Sequence, residues 1–337
     1  MIIEDRIKAF EKLGDFLKDF CNENSNSNHP LETIIQSSSS FNVWFTSSNI
    51  RSSISAICNN LSSSKLSSWL SSYFIPVEAK KNVSIIMAGN IPLVGFNDFL
   101  CVLMSGHRAI IKLSSKDNRL FLPIIEELIL IEPRFKGDIK LVEKVENFDA
   151  VIATGSNESF KHFEYYFKDY PTLLRRSRTS VAILTGEESL DERKALANDI
   201  FLYFGLGCRN VTKLYIPKNY DLNLLFEVFF EYQDVVLNNK YANNYDYYRA
   251  IYMMGKHNIL ENGFIILKED KALHSAVAVL NYEYYDEKES LVLQLDELKE
   301  DIQCIVGKDY IPFGKAQQPN LEDYADGVDT LRFLEAI

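Results

Sequence analysis

Two short runs of consecutive apolar residues, 83–87 (VSIIM) and 109–113 (AIIKL), flank a stretch with helical spacing, and nothing else constrains the fold of this chain as strongly. An unbroken apolar run of this length reads as a strand covered on both faces. Between the runs, Phe96, Phe99, Leu100, Leu103 and Met104 mark one face of a helix, and Gly106 can end it. Strand, helix and strand within about thirty residues is the length of a right-handed parallel crossover. Asp117 can then cap a helix carrying Leu120, Ile124, Leu128 and Ile131, and short strands are expected at 139–142 and 150–153. Such alternation predicts an α/β chain with a mainly parallel sheet.

The same periodicities extend in both directions. The first residues, MIIEDRIKAFEKLGDFL, are amphipathic with acidic groups throughout, which predicts a first helix and not a basic-then-apolar signal peptide. Between 37 and 72 the chain is rich in serine, yet Ile50, Ile54, Ile57 and Leu61, then Leu66, Trp69, Leu70 and Tyr73, recur at three- and four-residue steps, so helices are expected, ended by Pro76. Further on, a helix is expected at 157–167 and a strand at 180–184. Ser189 and Glu192 have the spacing of a capping box before Leu196, Ile200 and Phe204, and Gly205 and Gly207 stop that helix. Strands follow at 211–216, 264–267 and 302–306, with helices at 222–232 and 245–257. The arginine-rich loop from Arg175 to Arg178 separates two alternating regions, so a domain boundary is placed near Ser180, in keeping with two domains for 337 residues.

Composition narrows the classes of partner. With 36 basic and 47 acidic residues the formal charge is −11, the wrong sign for a general phosphate-backbone binder, so nucleic acid is not expected. No apolar stretch approaches the roughly 20 residues of a membrane span. Five cysteines, at 21, 58, 101, 208 and 304, are too few and too scattered for a disulfide scaffold and fit a reducing cytoplasm. The five histidines, at 29, 107, 162, 257 and 274, show no metal-ligand spacing, so no metal is expected. Neither G-x-G-x-x-G nor a P-loop is present.

Four places can carry chemistry. In FGLGCRN, 204–210, Cys208 sits in a glycine-flanked turn between a predicted helix and a predicted strand, where a nucleophilic thiol would meet substrate beside backbone amides; a small buried apolar residue is the other reading. In AGNIPLVGF, 88–96, Asn90 follows the first strand of the parallel sheet, where ligands of open sheets bind and its amide can donate to an oxyanion, although Asn-Ile-Pro is also an ordinary turn. Lys112 ends the second strand before Ser114 and Ser115, where a cation and hydroxyls can meet ribose or phosphate; a surface lysine is the alternative. In ATGSNES, 153–159, Gly155 and Ser156 form a strand-to-helix turn whose amides can bind an anion or simply cap the helix. The tyrosine-rich stretch 241–252 reads as core and interface.

Taken in order, these motifs resemble the aldehyde dehydrogenase superfamily, and within it the acyl-CoA reductases of the LuxC type. Asn90-Ile91-Pro92 is similar to that family's Asn-Phe-Pro oxyanion turn, and SGHRAIIKLSS, 105–115, to its Gly-Asn…Val-Val-Leu-Lys-Pro-Ser strand. ATGS resembles its Phe-Thr-Gly-Ser turn beside the dinucleotide phosphates, GLGC its Gly-Gln-x-Cys loop, and IPFGKAQQP, 311–319, its Pro-Phe-Gly segment. The resemblance implies a Rossmann-type cofactor domain with N-terminal helices at 1–179, an α/β catalytic domain at 180–315, and a tail at 316–337 that returns to the cofactor domain or an oligomer interface. It makes Cys208 the nucleophile and Asn90 an oxyanion donor, with Lys112, Ser115, Gly155 and Ser156 on the cofactor, NADPH or NADH. The implied enzyme is an oxidoreductase that reduces an acyl thioester, presented on CoA or an acyl-carrier protein and fatty in kind, to the aldehyde, as a homo-oligomer. Two departures bear on this. Between Asp169 and Glu187 no carboxylate stands where hydrolytic members carry a water-activating Glu, and Leu206 replaces the usual Gln. A cofactor-free acyl-cysteine transferase and a non-catalytic scaffold are the alternatives; Arg175, Arg176 and Arg178 could meet the phosphates of either nucleotide or form a solvated loop, and the sequence does not decide their role.

Overall fold

A computed structural model describes residues 1–21, 29–75 and 80–337. Pro76, expected to end the N-terminal helices, lies outside the described residues. The chain divides into two compact units, Met1–Ser177 with Asn320–Ile337, and Arg178–Pro319.

The first unit is built on a five-stranded parallel sheet: β1 (Asn82–Ile86), β2 (Arg108–Lys112), β3 (Ile139–Leu141), β4 (Ala150–Thr154) and β5 (Thr172–Arg175), in the order β3-β2-β1-β4-β5. Val83, Ile85, Ala109, Ile111, Val151 and Ile152 are essentially inaccessible, as the apolar runs require. Helix Phe96–Met104 makes the crossover from β1 to β2, and Ser105 and Gly106 end it, the glycine at φ +88°, a left-handed conformation suited to a helix end. Phe10 of the first helix, Ile3–Lys18, meets Phe96, Phe99 and Phe135 edge-on at centroid distances of 6.5, 6.2 and 5.8 Å. The serine-rich region forms helices Ser47–Cys58 and Ser63–Leu70, with Ile50, Ile54 and Leu66 fully buried. The C-terminal segment belongs to this unit: Trp69 Nε1 donates to Tyr324 Oη at 2.8 Å, and Tyr73 Oη donates to Asp329 at 2.9 Å.

The second unit carries a six-stranded sheet in the order β11-β6-β7-β10-β9-β8, from β6 (Thr179–Ile183), β7 (Val211–Pro217), β8 (Ile259–Glu261), β9 (Ile266–Glu269), β10 (Val279–Tyr285) and β11 (Ile302–Val306). Only the β8–β9 pair is antiparallel. The capping box forms as the spacing predicts: Ser189 Oγ accepts from Glu192 N, and the Glu192 carboxylate accepts from Ser189 N. Three strands fall outside the sequence pattern: β8, only three residues long and paired antiparallel with β9, and two others. β5 (TLLR) ends on a charge, and β10 (VLNYEYY) is tyrosine-rich and polar, so neither shows an apolar run; both gain strand character by pairing with a neighbour. Helices Pro30–Ser37, Lys288–Glu297 and Thr330–Glu335 were not expected either, since each is short and carries only two or three fully buried residues.

Candidate active site

The carboxyl ends of β1, β2, β4 and β5 share one edge of the first sheet. Strand order reverses between β1 and β4, the switch point at which open parallel sheets bind ligands. Asn90 lies there, exposed, four residues beyond β1. Its turn is held at both ends. Gly89 approaches the loop after β2 so closely that a Cβ would stand 2.4 Å from Ser114 Oγ, and Ser53 Oγ donates to Pro92 O at 2.8 Å. Lys112, the last residue of β2, is exposed and forms no ion pair among the described residues, and Ser115 is exposed three residues on.

After β4, Ser156 is the N-cap of helix Asn157–Phe167, its Oγ accepting from Ser159 N at 3.2 Å. Gly155 permits this tight start, because a Cβ would meet Ser159 Cβ at 2.8 Å and a Phe163 ring carbon at 3.0 Å. A helix start carries partial positive charge and leaves its first amides pointing outward. Exposed lysine and serine on one strand end, and outward amides on another, form a donor set suited to an anionic dinucleotide. No carboxylate ends β1, β2 or β4 to repel its phosphates.

The arginine loop divides by role. Arg175 is buried, with Nη1 donating to both oxygens of Asp98 at 2.6 and 2.5 Å and Nη2 donating to Thr330 Oγ1 at 2.8 Å. It therefore ties β5 to helices Phe96–Met104 and Thr330–Glu335 and is not available to a phosphate. Arg178 belongs to the second unit and donates to the carbonyls of Lys299 and Ile302 at the start of β11. Arg176 is exposed.

Cys208 lies in the second unit, half-buried, at the amino edge of its sheet, in the turn that enters β7. The approach to it is strained. Tyr203 and Phe204 take φ +56° and +57°, and Gly205 follows at +75°, so two non-glycine residues occupy left-handed backbone in succession. Each such residue costs about 1–3 kcal/mol and persists only where the surroundings impose it. Two polar side chains impose it here. Asn210, fully buried, accepts from Gly207 N at 2.8 Å through Oδ1, while Nδ2 donates to the carbonyls of Leu202 at 2.7 Å and Asp199 at 3.1 Å. Ser180 Oγ donates to Cys208 O at 2.9 Å and accepts from Cys304 N at 3.2 Å. The Cys208 turn is thus stitched to the preceding helix and to β6.

Sequence reasoning missed both residues. The available signals were an asparagine directly before an apolar strand, and a serine inside the apolar run TSVAIL. Asp199 extends the network, accepting from Gly314 N at 2.6 Å and Ala316 N at 3.1 Å, with burial raising its pKa to about 7 against the effect of those two bonds. Among the described residues no three His, Cys, Asp or Glu side chains group as a metal site, and no helix is long and apolar enough to cross a membrane.

By sequence, no protein-family model and no curated protein matches this chain. Solved structures do. An indole-3-acetaldehyde dehydrogenase in complex with NAD+ superposes with a TM-score of 0.66 at 15% identity, over 91% of this chain and 72% of that one. The aldehyde dehydrogenase KauB from Pseudomonas aeruginosa gives 0.66 at 14% identity over 91% and 72%, and an NAD-dependent aldehyde dehydrogenase from Sinorhizobium meliloti gives 0.65 at 12% over 96% and 72%. The fold is that of the aldehyde dehydrogenases. On this aldehyde dehydrogenase fold, Asn90, Lys112, Ser115, Gly155 and Ser156 all belong to the unit with the five-stranded sheet, and Cys208 to the unit with the six-stranded one.

Proposed function

We propose that the protein is a nicotinamide-dependent oxidoreductase that reduces an acyl thioester, carried on CoA or an acyl-carrier protein, to the aldehyde through an acyl-cysteine. The observation that carries this reading is the braced and strained turn of Cys208 combined with a chain that offers no carboxylate from 170 to 186. The first carboxylate after that stretch that is buried, Glu188, is occupied at the opposite end of β6, where it accepts from Thr185 Oγ1 and Gly186 N. Three residues of strand, from Ser180 to Ile183, already span about 10 Å. An acyl-cysteine formed here is not next to a base from that segment, which suits an intermediate that waits for a reductant over one that is hydrolysed.

In this reading the Cys208 sulfur bonds to the thioester carbon and the Cys208 backbone amide donates to the resulting oxyanion, with the Asn90 amide as the second donor that the family resemblance implies. Collapse breaks the carbon–sulfur bond to the carrier, whose thiolate leaves and takes up a proton. One oxyanion donor contributes about 10²- to 10³-fold in rate. Lys112, Ser115 and the Gly155–Ser156 turn would hold the dinucleotide; a reduced nicotinamide bound there would supply hydride to the acyl carbon, and the carbon–sulfur bond to Cys208 would then break, releasing the aldehyde and regenerating the Cys208 thiolate. Ser180 and Asn210 act earlier, by fixing the turn so that the thiol is presented in one orientation.

The test mixes purified protein with reduced nicotinamide and a panel of acyl-CoA thioesters, following the nicotinamide absorbance and the aldehyde formed, for wild type and Cys208→Ala. Oxidation of the cofactor with aldehyde release, lost in the variant, is expected. Acyl label trapped on Cys208 without cofactor oxidation would replace the reductase with an acyl transferase. No adduct and no cofactor binding would leave a scaffold.

A further inference from the structure

We propose that Asp117 is a positioning residue that acts through Asn90, setting the turn on which the oxyanion donor stands; this rests on the functional reading above. Asp117 immediately precedes helix Asn118–Ile131, where an aspartate ordinarily accepts from an amide of its own helix, yet it makes no capping bond there. Its side chain is buried and crosses to the loop after β1, with Oδ2 accepting from Leu93 N at 2.7 Å. Leu93 has φ +56°, a conformation that leucine seldom adopts. The other carboxyl oxygen, Oδ1, is buried and has no hydrogen-bond partner.

Both features are unfavourable in isolation: a buried carboxyl with one unmatched oxygen, and a left-handed leucine. Their position gives them a use. Residues 89–93 run from a glycine wedged against Ser114 to a leucine tethered to Asp117, with Pro92 O held by Ser53 between them. Asn90 is therefore suspended between fixed points, and both Ser114 and Asp117 lie in the loop that follows Lys112 and carries Ser115. Lys112 and Ser115, assigned above to the cofactor, and Asn90, assigned to the oxyanion, thus stand at two loops tied to each other. Oxyanion donors act only when preorganised to within about 0.5 Å of the productive position, which is what such a tether provides.

The experiment measures kcat and KM for acyl-thioester reduction by the full chain with Asn90→Ala, Asp117→Ala, Asp117→Asn and the Asn90→Ala/Asp117→Ala double variant. Hydrogen exchange of the Leu93 amide is followed in parallel. Asparagine keeps an oxygen for Leu93 N–H, so Asp117→Asn should stay within about threefold of wild type and retain Leu93 protection. Asp117→Ala should lose about 10- to 100-fold in kcat with KM little changed, and lose that protection. The double variant should be no slower than Asn90→Ala, because residues acting as one unit are not additive.

Should Asp117→Ala fail to fold, Ser53→Ala in both backgrounds replaces it, with a smaller kcat loss that again vanishes when Asn90 is absent. Additive losses, or an Asp117→Asn as impaired as Asp117→Ala, overturn the inference alone. An Asn90→Ala with wild-type kcat overturns it by removing Asn90 from the reaction. A wild type that reduces no thioester overturns the functional reading and this inference together.

Discussion

Replacing Asn210 by alanine tests whether the Cys208 turn is held by one buried side chain. The two short bonds, from Gly207 N at 2.8 Å and to Leu202 O at 2.7 Å, are lost together with the longer one to Asp199 O at 3.1 Å. Counting the short bonds at about 1 kcal/mol each, and adding about 1–3 kcal/mol for a Gly207 amide left without an acceptor, gives about 3–5 kcal/mol. Against a typical stability of about 5–15 kcal/mol this is a large fraction. Both tryptophans, Trp44 and Trp69, lie in the first unit, so urea unfolding followed by tryptophan fluorescence reports that unit while far-UV circular dichroism reports both. The circular-dichroism transition of the second unit should move to lower urea and the tryptophan transition should stay. Asn210→Asp keeps an acceptor for Gly207 but turns a second oxygen toward the carbonyls, so its loss should be at least as great at pH 8. In both variants alkylation of Cys208 should change rate by tenfold or more, because the turn no longer has a single conformation. A loss below about 1 kcal/mol, or an unchanged Cys208 reactivity, would refute the bracing argument.

Three further outcomes follow from the geometry. Asp98→Ala leaves Arg175 as a buried, unpaired cation and should destabilise the first unit by about 3–5 kcal/mol, read from the tryptophan urea midpoint, with Asp98→Asn costing less. Burial raises the Asp117 pKa from 3.8 to about 8, so the folded chain keeps a proton that the unfolded chain releases; its stabilising contribution is complete below pH 4 and drains away as pH rises toward 8. Between pH 5 and 8 the wild type should therefore lose up to about 4 kcal/mol that Asp117→Asn retains, at about 1.4 kcal/mol per pH unit, and parallel pH profiles of the two would contradict the burial argument. Iodoacetamide with peptide mass spectrometry should label the half-buried Cys21 and Cys208 well before the buried Cys58, Cys101 and Cys304, whose thiols burial pushes up; early labelling of Cys304 would contradict the burial that the fold gives it.

What the chain determined by itself is what local physics controls. The apolar runs at β1, β2, β4, β6, β7 and β11 are strands because continuous apolar segments of that length need cover on both faces, and the capping box at Ser189 forms from four consecutive residues. Asn90, Lys112, Gly155, Ser156 and Cys208 were legible as candidates because each sits at an end of such a run or in the turn beside it, where a side chain can leave the core. Tertiary structure decided the rest. β5 and β10 are strands only because a paired neighbour supplies their hydrogen bonds, and Arg175 is a buried tie because Asp98 and Thr330 meet it from 77 and 155 residues away. The side chains that hold the Asn90 and Cys208 turns are of the same kind: Asp117 reaches Leu93 over 24 residues and Ser180 reaches Cys208 over 28. Their polarity is visible in the sequence, but a hydrogen bond has meaning only once the fold has removed water and chosen the partner.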